Sequence, residues 1–256
     1  FYSGYDSGID VFLKKMNLAA NKVWTPFCVI CDNDDIVDLK GLEKGAKFLA
    51  NNIDYSTYRN DIRTLEIRPE LKMKESLYTY DSIESECPKE RGLYAIDHFN
   101  SFNFSIFRSG ILKAFLGVMD QVNTIGDFQL FQKGLSYFAS VIGKCKRLHD
   151  ESYYYFIPGN SVLQDGSGKI KKFKDWAIQP YWPLSVRYAI SIASTAYEFV
   201  HEKNDFREEF ARKLIQESCA KAQISFPNEE TIADILQSSE SYDSMTTEQM
   251  KKNVDE

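Results

Sequence analysis

No window of this 256-residue chain approaches about 18 consecutive apolar residues, so the sequence offers no membrane-spanning helix. It does not open on methionine either: Phe1 comes first, and no charged-then-apolar leader follows it. A basic surplus is also missing. Lys and Arg total 31 against 37 Asp and Glu, and nothing resembles the basic stripe of a nucleic-acid binder. The resulting net charge of −6 is local. Residues 226–256 hold eight acids and two bases, while the other 225 residues carry 29 charges of each sign. That acidic tail reads as a solvated end. The five cysteines are odd in number and irregular in spacing, which argues against a disulfide framework. Cys28 and Cys31 form a C-x-x-C inside an apolar run. A strand there would point residues three apart to opposite faces, so neither a zinc half-site nor a redox pair is natural. Free buried thiols in a reducing cytosol are expected, and with them a cytoplasmic location. What the chain has is apolar mass. Hydrophobic residues make up 43% and charged residues 27%, enough for a sizeable core and too apolar for wholesale disorder.

Phe12, Met16, Ala19, Ala20 and Val23 have helical spacing and predict a helix over 10–23, broken by Thr25-Pro26. Residues 27–31 form a continuous apolar run, as in a buried parallel strand, ending abruptly in Asp32-Asn33-Asp34-Asp35. Leu42, Ala46 and Leu49 share one face of a helix over 39–51, with Asp38 as its N-cap. Helix, strand, acidic loop, helix is the grammar of an α/β sheet. Residues 54–90 carry many charges and no clean period, so loops and short strands are expected there. Alternation predicts a strand over 102–107, then a short helix capped by Ser109 and running to Met119. Phe128, Phe131, Leu135, Phe138 and Ile142 line one face of the clearest helix, 127–142, which Gly143 stops. A short strand is expected over 153–157, a turn at 164–168, and helices from Trp182 to Gln223. No internal repeat is present.

Three acids in four residues directly after an apolar strand repel one another, and a divalent cation relieves that. In open α/β sheets, ligands sit beyond the carboxyl ends of the strands. Asp32 and Asp34, two apart, can converge on one hard cation such as Mg²⁺ or Mn²⁺, with diphosphate oxygens and water completing the shell. An EF-hand loop is excluded, because Val37 stands where the sharp turn needs glycine and Ile36 replaces a ligand. The bland alternative is that these acids are solvated and cap the next helix.

The stretch Lys15-Met-Asn-Leu-Ala-Ala-Asn-Lys-Val-Trp-Thr-Pro-Phe-Cys-Val-Ile-Cys-Asp-Asn-Asp-Asp35 resembles the centre of inverting, family-2-type glycosyltransferases of the GT-A fold. There, a helix bearing a basic residue leads to a strand ending in D-x-D-D. Gly41-Leu42 through Asn51-Asn-Ile-Asp-Tyr55, Phe104-Ser-Ile-Phe-Arg108, Ile125-Gly-Asp-Phe-Gln-Leu-Phe131 and Tyr153-Tyr-Tyr-Phe-Ile-Pro-Gly-Asn-Ser161 resemble later segments in order. The resemblance covers roughly residues 10–162. It implies that Asp32 and Asp34 hold a Mn²⁺ or Mg²⁺ ion and the donor diphosphate. Asp35 would support that loop, Lys15 would face the donor nucleotide or its phosphates, and Asp127 would take the proton from the acceptor hydroxyl. The reaction implied is a single displacement with inversion, from a nucleotide-sugar donor to a saccharide or other hydroxyl acceptor. A lipid-linked acceptor would bring peripheral membrane association, and no nucleic-acid partner is implied.

Several residues keep second readings. Asp127 directly precedes a helix, where an N-cap carboxylate has a depressed pKa and is a weaker base. The family usually has Glu-Asp there, whereas this chain has Gly126-Asp127. The family's closing Arg and His pair is absent from 156–159, and His149 lies several residues early as a candidate metal ligand. Arg108 suits a phosphate or a structural ion pair, while Trp24 and Tyr153 to Tyr155 suit sugar stacking or packing. Only 31 residues precede Asp32, so most donor-pocket strands of a GT-A half are expected to lie upstream. The architecture expected is therefore α/β: a GT-A mixed sheet with flanking helices over 1–174, incomplete at its N-terminus. A helical extension over 175–240 and an acidic tail over 241–256 complete it. The alternatives are a non-catalytic, glycosyltransferase-like interaction module and a metal-dependent nucleotidyltransferase.

Overall fold

In the computed structural model, which describes residues 9–31, 36–67, 73–98, 102, 104–121, 128–157, 192–193, 195–196, 207–222, 225, 227–234 and 237, helices and strands alternate along the chain. Helix α1 (Ile9–Asn21) leads to β1 (Phe27–Val29), β2 (Ile36–Val37), α2 (Leu39–Asn51), β3 (Tyr55–Ile67) and β4 (Met73–Tyr78). Then come α3 (Pro88–Asp97), β5 (Ile106–Arg108), α4 (Ser109–Gln121), α5 (Phe128–Ile142), β6 (Lys144–Ile157) and α6 (Arg207–Ala222). The strands make one mixed sheet in the order β1-β5-β3-β6-β2, with β4 also paired to β3.

β3 is the axis of the sheet. It pairs in parallel with β6 from Tyr55 to Glu66, and two strands share its other edge. β5 takes Thr57 and Tyr58, and β4 takes Ile62 to Ile67. β1 is antiparallel to β5, and β5 is antiparallel to β3, so β1, β3 and β6 point the same way. This corrects two expectations. The run 27–31 becomes a three-residue, half-buried strand with an antiparallel neighbour, because an apolar run reports burial and not the direction of its partner. Residues 54–90 hold the 13-residue β3, whose apolar period is interrupted by Arg59 and Asp61, both buried. The strand expected at 102–107 shortens to β5, and the one at 153–157 is the end of β6.

Helices cover both faces. On one, α2 sets Leu49 against Tyr58 and Ile106. On the other, α3, α4 and α5 close a larger core that includes Phe107, Phe115, Phe131, Leu135, Phe138 and Cys145. The start of α2 is as expected: the Asp38 carboxylate accepts from the backbone N–H of Lys40 at 3.1 Å and of Gly41 at 3.2 Å. Its buried seam is Gly41, Gly45 and Leu49, with Leu42 and Ala46 only half-buried beside it. A Cβ on Gly45 would overlap the side chains of Ile106 and Tyr58, so glycine is what lets the helix lie this close to the sheet. Gly45→Ala is expected to lose about 1–3 kcal/mol by overpacking, although alanine gains about 1 kcal/mol in helix propensity. Adding Ile106→Val removes one methyl that the new Cβ meets and should recover part of the loss in urea denaturation.

α5 is buried all round rather than along one stripe. Lys133, Ser136, Tyr137 and Ser140 are as buried as Phe131 and Phe138, because α3 packs along α5 in addition to the sheet. Buried Arg91 of α3 ties that pair together. It donates from Nε to Ser140 O at 2.7 Å and from Nη2 to Val141 O at 2.8 Å, satisfying carbonyls at the end of α5. α6 contributes Ala211, Ile215 and Cys219 to the same core, and Lys213 pairs with Asp97 at 3.0 Å. Among the cysteines, Cys145 and Cys219 are buried as expected. Cys28 is half-buried, Cys31 is exposed past the end of β1, and Cys87 is exposed in a polar stretch directly before α3.

Candidate functional site

β1, β3 and β6 share a carboxyl end. The chain leaves β1 at Val29 and re-enters the sheet at Ile36, opposite Tyr154 in the carboxyl half of β6. In the strand order, β1 and β2 are four spacings apart, about 19 Å at about 4.8 Å each. Asp32, Asp34 and Asp35 lie in the link between these strands, and Asp127 immediately precedes α5; all four are outside the described residues. Gly143 alone separates α5 from β6, so α5 folds back over the sheet, with its first turn toward that carboxyl end.

The described residues bring another polar set to β3 and β6. Arg59 pairs with Arg147 and Asp61 with Ser152, so four residues of β6, 148–151, stand opposite the single residue Asn60. Such a bulge bends the strand and re-aims a side chain. His149 sits on it. Its Nδ1 lies 3.1 Å from Oδ1 and 3.3 Å from Oδ2 of Asp61. Arg147 donates to the same carboxylate, from Nη2 at 2.8 Å and from Nε at 3.3 Å. The side chains of Arg147 and Asp61 are 3% and 5% exposed, whereas that of His149 is 62% exposed. A carboxylate only accepts, so Nδ1 carries the hydrogen and Nε2 is left as the acceptor of the neutral ring.

Tyr80 backs this trio. Its ring lies 4.2 Å from the guanidinium carbon of Arg59 and 4.6 Å from that of Arg147. Burial pushes the Arg59 guanidinium down to about 10, and Arg147 is lowered for the same reason, with the Asp61 hydrogen bond opposing. The backbone N–H of Arg147 donates to Ser82 Oγ at 3.0 Å, fastening the 80–82 segment to β6. Arg59, Tyr80, Ser105, Cys145 and Lys146 line a cavity with room for about one water.

The other candidates fall elsewhere. Lys15 is half-buried on α1, its Nζ 5.6 Å from the Phe12 ring centre. Arg108 forms no direct ion pair among the described residues. It donates to three carbonyl oxygens at the end of α2 and the start of β3: Leu49 and Tyr55 at 2.7 Å, and Asn52 at 2.8 Å. The carbonyls of Leu49 and Asn52 lie at the negative end of the α2 dipole, which draws the cation. His98 stacks on Tyr94 at 4.1 Å, and Trp24 is 90% exposed. The Asp61–Arg147–His149 trio escapes sequence reading because Asp61 lies 86 residues from Arg147 and 88 from His149. The one local hint is a pair of opposite charges two apart inside Thr57-Tyr58-Arg59-Asn60-Asp61-Ile62, which alternation places on one face of a strand.

Among the described residues, no group of three or more His, Cys, Asp and Glu is placed to hold a metal ion, and no helix is long and apolar enough to cross a membrane. No protein-family model matches the chain, and no curated protein matches its sequence.

Proposed function

We propose that this chain belongs to an inverting glycosyltransferase of GT-A type, moving a sugar from a nucleoside diphosphate to a hydroxyl. One observation carries the reading. β1, β3 and β6 run in the same direction, and Asp32-Asn33-Asp34-Asp35 follows the carboxyl end of β1, where open α/β sheets bind ligands. Two carboxylates two residues apart are hard oxygen ligands, so Asp32 and Asp34 fit a Mn²⁺ or Mg²⁺ ion. When bound, such an ion supplies Lewis-acid neutralisation of the departing diphosphate. On the resemblance, Asp35 steadies the loop, Lys15 faces the donor phosphates and Asp127 receives the hydroxyl proton.

Isothermal titration of UDP into the protein, with and without Mn²⁺, tests the reading. Binding should require the metal. Binding indifferent to metal, or none at all, would favour a non-catalytic interaction module. Turnover of a nucleoside triphosphate instead of a nucleotide sugar would favour a nucleotidyltransferase.

A further inference from the structure

We propose that the cavity between β3, β6 and the 80–82 segment binds one small monovalent anion of the chloride class. The inference is independent of the transferase reading. Three observations support it. The first is charge. Among the described lining side chains that are at least nine-tenths buried, Arg59 and Arg147 are cations and none is an acid. Lys146, a quarter exposed, adds a third positive group. Asp81 also lines the cavity, but it is exposed, where water screens its charge. Asp61, the buried carboxylate nearby, already accepts from Arg147 and lies against His149 Nδ1. Although burial pushes Arg59 down to about 10, it stays protonated at neutral pH.

The second observation is Ser105, which is fully buried at the cavity wall just before β5. Its Oγ has no hydrogen-bond partner among the described residues. A buried hydroxyl left in that state is costly, and an anion in the cavity would accept its hydrogen. The third is the kind of groups that converge. The arginines can only donate, and Ser105 and Cys145 carry an O–H and an S–H. A water offered donors on several sides must still place two hydrogens of its own, whereas an anion accepts from all of them. Charge-assisted hydrogen bonds of this kind are the stronger ones. Size fixes the ligand class: room for about one water admits a single-atom anion and excludes phosphate, sulfate or a carboxylate. Bound there, the ion would tie β3 and β6 to the residue before β5.

Thermal unfolding in potassium chloride, against potassium gluconate at the same ionic strength, tests the site. Gluconate is too large for the cavity, and matched ionic strength equalises screening. Binding to the folded chain should raise the unfolding temperature by about 3 °C for each tenfold rise in chloride beyond half-saturation. Bromide should act as chloride does, and a crystal soaked in it should show anomalous scattering beside Ser105, Arg59 and Arg147. Ser105→Ala removes one oxygen and should fold. It should move the chloride response to about tenfold higher concentration, and Lys146→Gln should move it by a smaller factor. Equal unfolding temperatures in chloride and gluconate, with no bromide in the cavity, overturn the inference. A chloride response without bromide in the cavity is a general salt effect and overturns it too. So does a Ser105→Ala protein that gains stability at every salt concentration and keeps the wild-type chloride response, which is how a hydroxyl with no ligand behaves.

Discussion

Asp34→Ala is expected to abolish Mn²⁺-dependent UDP binding and sugar transfer. Asp32 and Asp34 would share one cation, and a lone carboxylate on a loop holds Mg²⁺ or Mn²⁺ poorly against water. The departing diphosphate then meets no cation, and charge stabilisation of this kind is commonly worth about 10²–10³ in kcat for a single donor. Loss of the whole ion should exceed that. Asp34→Asn keeps an oxygen but removes the charge, so it should retain weak binding at high metal concentration. Asp35→Ala should be milder, since that residue is assigned to the loop rather than to the ion. Thermal unfolding of each variant separates lost binding from lost fold. An Asp34→Ala protein with undiminished Mn²⁺-dependent turnover would sink the metal assignment.

The elements that sequence reading located are those whose signals are local. The Asp38 cap and the apolar spacing of 39–51 mark α2, and its first-turn hydrogen bonds are where the cap places them. Gly143 after the Phe128–Ile142 stripe marks the end of α5, with Gly143 N–H still bonded to Ala139 O at 3.1 Å. α1 and α4 follow from apolar spacing, although Ser109 is the first residue of α4 and not its cap. The mixed sheet with flanking helices emerges from the order of these pieces.

What the sequence hides is long-range. Arg59 and Asp61 look like solvated charges, yet β3 is central and buried, and Arg147 comes to Asp61 from 86 residues away. Arg108 reads as a free cation seeking an anion. The carbonyl oxygens it finds, on Leu49, Asn52 and Tyr55, are invisible in composition because every residue has one. Gly41 and Gly45 score as breaks in a hydrophobic pattern, but they form the contact seam of α2 because only a missing Cβ lets helix and strand approach. The parallel pairing of β3 with β6 is equally silent, since 55–67 and 144–157 are separated by three helices. At the candidate site, the acidic tetrapeptide is legible because its four residues are contiguous. The Asp61–His149 contact is not, because it forms only when β6 bulges beside β3.

Asp61→Ala is expected to destabilise the protein by about 3–5 kcal/mol, the usual loss when one partner of a buried ion pair is removed. Both side chains are almost fully buried, so the variant leaves the Arg147 guanidinium in low dielectric without its carboxylate. Burial already pushes Arg147 below the ordinary arginine value, and the Asp61 contact is what opposes that push. Arg59, lowered to about 10 by burial, stands against the same tyrosine ring, so removing the acid leaves two cations beside one Tyr80 ring. Asp61→Asn keeps the volume and one acceptor but not the charge, and should lose less. The argument turns on the double variant. Asp61→Leu with Arg147→Met removes both charges, and apolar pairs of similar volume often restore a buried site to near its original stability. Urea denaturation should therefore show strong coupling, with the double variant more stable than Asp61→Ala. Additive losses would mean that the pair serves orientation alone. In either case His149 loses its Nδ1 partner, so the carboxylate that stabilises the strand pair is also the one that holds the ring.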